Sequence, residues 1–137
     1  EIIKMMVKMD FFAISKYSPS KQCLEFNNIY LNGQQQEPVS VEIYTDCTET
    51  LCFRTNEDSY SDVEKSHFHT VGEQTLDTVF VLPLREASKP NGILTIGCTA
   101  KDVYTNSDRA NIRMITSYLS IALEKAKDLI LKKKKRL

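Results

Sequence analysis

The residues of this chain that could do chemistry lie in a polar stretch near its middle. His67 and His69 flank Phe68, so an extended backbone puts both imidazoles on one side, where they and Asp62 could ligate a metal or a haem. Asp58 and Asp62 could act as paired carboxylates in acid–base chemistry. No nucleophile is tied to these carboxylates by spacing, and histidines and acids of this kind are more common as solvated loop residues. We therefore predict neither a metal site nor a catalytic residue here.

Cysteines are the other reactive side chains, and the chain has four of them: Cys23, Cys47, Cys52 and Cys98. They form no CxxC pair and have no zinc-type spacing. Free thiols in a reduced, cytoplasmic setting are the simplest interpretation, and a redox pair formed by Cys47 and Cys52 is the alternative. The sequence has no GxSxG or HExxH motif, and with four glycines it has no glycine-rich phosphate loop.

The best-specified strands follow this polar stretch. Apolar strands are predicted over Val79–Leu84 and Ile93–Cys98, with a turn through Lys89–Gly92 between them. A connection this short makes the two strands antiparallel neighbours. A hairpin followed by an amphipathic helix is typical of a ligand-sensing module rather than of an enzyme.

A long helix is predicted after the second strand, with Asn106, Ser107 and Asp108 as good cap residues. Apolar residues then recur at alternating spacings of three and four, as in a heptad seam, over Ile112, Ile115, Leu119, Ala122, Ala126 and Leu129. Met114, Tyr118 and Ile121 form a second stripe beside this seam. Either one stripe lies on the domain's own sheet while the other meets a partner helix, or both form one wide face buried in a single chain.

The segments upstream predict the rest of a single domain. Residues 1–10 are predicted as a helix, Phe11–Tyr17 and Gln22–Leu31 as a hairpin, residues 38–53 as a weak helix, and residues 55–71 as irregular with a short strand or turn. This order indicates an α+β fold in which terminal helices pack on one face of an antiparallel sheet. A helix and loops cover the other face and leave a cavity, which is a common place for a small ligand.

Composition and charge limit the partners of this domain. A chain of 137 residues with 42% apolar and 26% charged residues fits one ordinary globular core. No apolar run approaches the roughly 20 residues of a membrane span, and no signal peptide is recognisable. The acidic surplus of residues 25–77 argues against a nucleic-acid-binding face in that segment. The basic run at 132–136 could bind phosphates, but such a run is more often the solvated end of a helix, and we predict no nucleic-acid partner. Both ends look cut, which predicts a fragment of a longer protein.

Four motifs together resemble the GAF domain family. They are Ser61-Asp62-Val63-Glu64, the strand that ends in Pro83-Leu84, the Gly92 that opens the next strand, and Ala122-Leu123-Glu124-Lys125-Ala126 in the exit helix. The resemblance covers most of the chain and implies one GAF-like, PAS-related α+β domain over residues 1–137. It implies a regulatory function rather than catalysis. It also implies a homodimer formed through the terminal helices and a covalently linked output domain of a signalling protein.

The ligand motifs of this family do not carry over to this chain. Residues 104–109 do not match the cyclic-nucleotide pattern, and no cysteine is followed by the histidine common in bilin binders. The cysteines also do not match the spacing of the members that reduce free methionine sulfoxide. The small-molecule ligand and any cofactor are therefore unidentified, and we predict ligand contacts under the cover at Asp62, His69, Thr78 and Phe80.

Two other functions are compatible with the same sequence. The first is a ligand-free dimerisation module whose cavity is filled by its own Phe53, Phe68 and Phe80. The second is a redox enzyme that uses Cys47 and Cys52. Density in the cavity, or stabilisation by an added metabolite, separates a sensor from the first alternative.

Overall fold

The protein folds around one seven-stranded antiparallel sheet. The computed structural model describes residues 9–60, 63–101 and 103–136. The strands of this part of the chain are β1 (Phe11–Ser18), β2 (Cys23–Leu31), β3 (Gln34–Gln35), β4 (Val39–Glu42), β5 (Ser59–Tyr60), β6 (Thr70–Val71), β7 (Gln74–Thr75), β8 (Thr78–Glu86) and β9 (Lys89–Cys98). Its helices are α1 (Thr48–Thr55) and α2 (Asn106–Arg136). The main sheet has the order β3-β2-β1-β9-β8-β5 with β4 paired to β2, and β6 and β7 form a separate two-stranded sheet.

The hairpin of β8 and β9 confirms the two predicted strands but moves their turn. Glu86 pairs with Lys89, so the turn is Ala87–Ser88 and not Lys89–Gly92. Both turn residues have positive φ, 51° and 69°, as the tight turns that join twisted antiparallel strands require. The predicted turn was wrong because a proline and a glycine, which usually mark turns, here lie within β9.

Gly92 is required where β1 and β9 approach each other closely. β1 has a bulge between Ile14 and Ser15, and the Ile93 N–H donates a hydrogen bond to Ser15 Oγ over 2.9 Å. A Cβ atom at Gly92 would overlap the carbonyl oxygen of Ser15. The glycine that opens this strand is therefore explained by packing against a neighbouring backbone, and not by a turn.

The hairpin of β1 and β2 confirms the strands predicted over Phe11–Tyr17 and Gln22–Leu31. The two strands pair antiparallel from Phe11 opposite Leu31 to Ser18 opposite Cys23. A helix was predicted over residues 1–10, of which residues 1–8 lie outside the described residues. Residues 9 and 10 are described and are not helical. β1 also pairs with β9, which places the first hairpin beside the second in one sheet.

The helix predicted over residues 38–53 is wrong in its first half. Val39–Glu42 is strand β4, which pairs antiparallel with Cys23–Phe26 of β2, and the helix α1 covers only Thr48–Thr55. A four-residue edge strand has too few alternating side chains to stand out from a weak helical pattern in the sequence.

Two hydrophobic clusters pack on opposite faces of the sheet. One lies under α1 and residues 63–76, which we call the cover segment, and it includes Phe11, Phe26, Phe53, Phe68, Val79 and Val81. The other lies under α2 and consists of Phe80, Leu82, Leu84, Leu94, Ile96, Tyr104 and Ile112. β8 contributes to both clusters, because alternate side chains of a strand point to opposite faces. The predicted α+β class, with a helical face and a covered face, is confirmed.

Candidate functional site

A fully buried carboxylate joins α1 to the cover segment. Glu49 lies in the first turn of α1 and is 0% exposed. Its Oε2 atom accepts hydrogen bonds from Ser66 Oγ at 2.6 Å and from Thr95 Oγ1 at 3.2 Å. Its Oε1 atom accepts one from the His67 N–H at 2.7 Å. These three donors compensate for the loss of water around a group that is costly to bury.

The cover segment is folded around this carboxylate. Ser66 Oγ, which donates to Glu49, also accepts a hydrogen bond from the Phe68 N–H at 3.1 Å. The Thr48 N–H at the start of α1 donates to the Lys65 carbonyl at 2.9 Å. The first half of the cover segment is therefore attached to α1, while its two strands, β6 and β7, pair with each other and not with the main sheet.

Aromatic side chains fill the space between the cover segment and the sheet. Phe68 is 4% exposed, and its ring centroid lies 5.0 Å from that of Phe11 and 4.9 Å from that of Phe26. Phe53 lies in the same cluster and contacts Tyr17, with centroids 4.7 Å apart. Two of the three phenylalanines expected to fill a closed cavity, Phe53 and Phe68, do lie here.

The structure does not bring together the three predicted ligand residues that it describes, His69, Thr78 and Phe80. His69 is half-buried in the cover segment, and Asp62 lies outside the described residues. Phe80 packs in the cluster under α2, and Thr78, on the same side of β8, donates to the Ala100 carbonyl at 2.6 Å. The predicted place of Thr78 and Phe80 under the cover was wrong, because a strand buried on both faces gives no alternation in its sequence. Ligand contact by any of the four stays a prediction.

Only the first half of the predicted seam on α2 packs on the sheet. Along that seam Ile112 is buried, Ile115 and Leu119 are half-buried, and Ala122, Ala126 and Leu129 are exposed. The second stripe faces solvent, since Met114 and Ile121 are each 49% exposed and Tyr118 is 65% exposed. The two stripes therefore do not form one wide buried face, and an apolar stripe is left uncovered on α2.

The residues that lead into α2 are anchored by a reciprocal cap. The Asp108 N–H donates to Thr105 Oγ1 at 3.1 Å, and the Thr105 N–H donates to Asp108 Oδ2 at 3.0 Å, as in a capping box. Tyr104 is buried just before them, and its hydroxyl has no hydrogen-bond partner in the structure. Burial raises the pKa of the Tyr104 hydroxyl above its ordinary value, and Cys98 and Asp10 raise it further.

Two arginines tie the first turns of α2 to the edge of the sheet. The Arg109 guanidinium lies 4.2 Å from the centroid of the Tyr60 ring. Arg113 forms an ion pair with Asp58 and lies 5.5 Å from the Phe80 centroid. Cation–π contacts of this kind are worth about 0.5–1 kcal/mol at exposed sites. The start of α2 is therefore held in a fixed position on β5 and β8.

Two grooves flank α2. The first has a volume of about 590 Å³ and lies between α2 and residues 56–58, with Arg85, Arg113 and Glu124 among its lining residues. The second, of about 530 Å³, lies between α2 and the first hairpin, with Ile14, Lys16 and Leu123 among its lining residues. Both grooves are on the α2 face, opposite the cover segment.

The other reactive side chains form no recognisable reaction centre. All four cysteines are buried and free of disulfides, and Cys47 Sγ lies 3.3 Å from Thr50 Oγ1. Within the described ranges, no three His, Cys, Asp or Glu side chains are grouped so that they could hold a metal ion. In the same part of the chain, no helix is both long and apolar enough to cross a membrane.

Comparisons with known proteins identify the fold of this chain. No family model and no curated protein matches it. Among solved structures, the GAF domain of a two-component sensor histidine kinase from Bacillus halodurans is 15% identical with a TM-score of 0.72, over 92% of this chain and 88% of that one. The GAF-B domain of DevS from Mycobacterium smegmatis is 14% identical with a TM-score of 0.74, over 96% and 91%.

Enzymes are among the structural matches as well. The type II free methionine-R-sulfoxide reductase from Thermoplasma acidophilum is 15% identical with a TM-score of 0.71, over 90% of this chain and 85% of that one. At such identities a likeness establishes the fold and leaves function to the residues of the site. The chain has the GAF fold, as its four motifs predicted.

Sequence reasoning missed Glu49, which is the most enclosed charged residue of the cover side. It is one of many acids in residues 25–77, and nothing in its type separates it from the solvated ones. Thr48, Thr50 and Cys52 beside it in α1 are also buried, but their burial follows from the fold and is not visible in the sequence. Buried polar groups of this kind are nearly always hydrogen-bonded, which is the role that the structure gives Glu49.

Proposed function

We propose that this chain is a regulatory GAF domain of a cytoplasmic signalling protein and that it pairs with a second copy through α2. The observation that carries the proposal is the uncovered stripe of Met114, Tyr118 and Ile121, on a helix that continues to Arg136. Apolar side chains spaced by four and three on a helix are suited to packing against a second helix. The fold shared with the GAF domain of a sensor histidine kinase supports a regulatory role.

The position of α2 explains how a signal could leave the domain. Ile112 packs in the cluster with Phe80 and Leu82 of β8, while Tyr118, further along the same helix, faces solvent. A shift of β8 therefore moves the helix that carries the pairing stripe. In this proposal α2 transmits that shift to a covalently linked output domain, and catalysis belongs to that domain.

A second candidate function is dimerisation without a ligand. It is favoured by one observation, the filling of the cover side by Phe53 and Phe68. In that case the cover segment is a permanent part of the core, and no added metabolite raises the melting temperature. A sensor differs because a ligand that binds only the folded form stabilises it in proportion to the logarithm of its concentration.

Disulfide crosslinking tests the pairing of α2 directly. Output domains that follow the C-termini of both copies require the two α2 helices to be parallel, and a parallel pair places Tyr118 beside Tyr118. The variant Tyr118→Cys should therefore form a covalent dimer under mild oxidation. Glu73→Cys is the control, since Glu73 is exposed in the turn between β6 and β7 on the opposite face. Equal crosslinking of both variants, or none at residue 118, would contradict the proposal.

A further inference from the structure

Glu49 is a buried carboxylate without a cation beside it. It is 0% exposed, and among the described residues no ion pair to it is found. Buried acids are usually paired with a cation or a metal. The three donors around Glu49 are neutral: two hydroxyls and one backbone N–H. The fold thus holds a carboxyl group inside its core on neutral donors alone.

Two of these three donors belong to the cover segment. Ser66 and His67 supply the hydrogen bonds of 2.6 and 2.7 Å, and only Thr95, at 3.2 Å, belongs to the main sheet. The strands of the cover segment pair with each other in a separate sheet. A movement of the cover segment would therefore break no strand pairing of the main sheet, and it would expose the Glu49 carboxylate.

Phe68 is linked to this carboxylate through Ser66, and its ring packs on the same face of the sheet. Its backbone N–H binds the same Ser66 hydroxyl that donates to Glu49, and its ring lies against Phe11 and Phe26. Thr95 pairs with Ala13 across β1 and β9, and Phe11 lies two residues from Ala13 on the same face of β1. If Phe68 withdraws, it leaves a space bounded by aromatic rings with a carboxylate at one side.

A carboxylate beside aromatic faces is chemically suited to an ammonium group. The carboxylate forms charge-assisted hydrogen bonds to it, and the electron-rich ring faces attract the positive charge. An anionic ligand is disfavoured there by repulsion, and a neutral apolar ligand leaves the carboxylate without donors. We propose that the cover site takes an organic amine whose ammonium group pairs with Glu49 and whose apolar body, about the size of the Phe68 side chain, displaces that ring.

This assignment rests on the proposed regulatory function, since it names the ligand class that such a domain would sense. It makes Phe68 an internal plug that holds the site closed when no amine is bound. Withdrawal of Phe68 perturbs the cluster that includes Val79 and Val81 of β8. The same strand packs under α2 through Phe80 and Leu82, so the amine site and the pairing helix lie on opposite faces of one strand.

Matched ligands test the charge requirement on the unaltered protein. Phenethylamine, phenethyl alcohol and 3-phenylpropionate have similar shapes. At neutral pH the amine is positively charged, the alcohol is uncharged and the acid is negatively charged. The amine should raise the melting temperature progressively with its concentration, and the alcohol and the acid should not. Isothermal titration of Glu49→Gln should then show an amine affinity lower by about 10- to 100-fold. The variant Phe68→Leu, which shrinks the plug, should bind the amine more tightly than the wild type.

The outcomes separate this inference from the proposed function. Absence of amine binding to both the wild-type protein and Phe68→Leu overturns the amine site. Stabilisation by the alcohol or the acid instead overturns the ligand class but leaves a sensing domain. If no ligand binds while Tyr118→Cys still crosslinks, the amine site is rejected and ligand-free dimerisation stands. If Glu49→Gln does not fold, the wild-type comparison of the three phenyl compounds still decides the charge requirement.

Discussion

Ser66 donates a 2.6 Å hydrogen bond to Glu49 across the boundary between the cover segment and α1. The same hydroxyl accepts the Phe68 N–H, so one side chain fixes both the buried carboxylate and the aromatic plug. Further polar attachments of the cover segment to α1 are the His67 N–H on Glu49 and the Thr48 N–H on the Lys65 carbonyl. Loss of the Ser66 hydroxyl should therefore loosen the cover segment and destabilise the fold.

Ser66→Ala should lower the free energy of unfolding by about 1–3 kcal/mol, because it leaves a buried carboxylate short of one donor. Urea unfolding followed by circular dichroism measures this change. Ser117→Ala is the control, since Ser117 is exposed and bonds only within α2, and it should shift stability by no more than about 0.5 kcal/mol. Equal effects of the two variants would argue that the Ser66 contact is not structural.

Gly92→Ala should destabilise the fold by more than about 2 kcal/mol, because the new methyl group meets the carbonyl oxygen of Ser15 in the adjacent backbone. Gly97→Ala is the matched control on the same strand. Its methyl group would lie 2.7 Å from Cδ1 of Leu76, which is the end of a side chain that can rotate away, and 3.1 Å from the carbonyl oxygen of Thr78, which is a milder overlap than that between Gly92→Ala and Ser15. In thermal unfolding, Gly97→Ala should have a higher melting temperature than Gly92→Ala. A lower melting temperature for Gly97→Ala would contradict the close approach of β1 and β9.

The Gly92 case illustrates where the sequence was informative and where it was not. The apolar runs on both sides of it predicted β8 and β9 correctly, because a hairpin covered on both faces is continuously apolar. The turn was misplaced because Pro90 and Gly92 favour turns by residue type. The actual turn at Ala87–Ser88 uses positive φ at two ordinary residues, which is a conformation that residue type did not indicate.

The candidate site was less predictable than the fold, for a physical reason. Which face Thr78 and Phe80 point to depends on the register between β8 and its neighbours, and a one-residue shift exchanges the faces. The hydrogen bonds that stabilise the buried Glu49 come from Ser66, His67 and Thr95. Those donors lie far from it in the chain, so no local pattern could mark it.

Tyr104→Phe should leave stability unchanged near neutral pH or raise it by up to about 1 kcal/mol, because it removes a buried hydroxyl that has no partner. At high pH the two proteins should diverge. The pKa of folded Tyr104 is raised by burial, while the unfolded tyrosine ionises near pH ~10. Ionisation then favours the unfolded state, so wild-type stability should fall more steeply than that of Tyr104→Phe above about pH 10. Urea unfolding at about pH 8 and about pH 10.5 measures this difference.

The buried thiols should be unreactive while the protein is folded. Cys47 and Cys52 are both buried, so a thiol reagent should modify them only on unfolding, and the protein should not reduce free methionine-R-sulfoxide. The check is an assay of methionine-R-sulfoxide reduction with a dithiol reductant. The double variant Cys47→Ser, Cys52→Ser is assayed in parallel with the wild type. A turnover present in the wild type and lost in the double variant would move the protein to the redox class.

The central claim is that two copies of the chain pair through the uncovered stripe on α2. Size-exclusion chromatography with light scattering tests this claim directly by measuring the mass of the particle. The wild type should have a mass of twice its chain mass of 15.7 kDa. Ile121→Asp should be a folded monomer, because it places a charge where the second α2 helix would pack. Leu119→Asp should instead lower stability, since Leu119 packs on the cluster under α2. A wild type that runs as a monomer at high concentration, or an Ile121→Asp variant that remains dimeric, would show that α2 does not pair through this stripe.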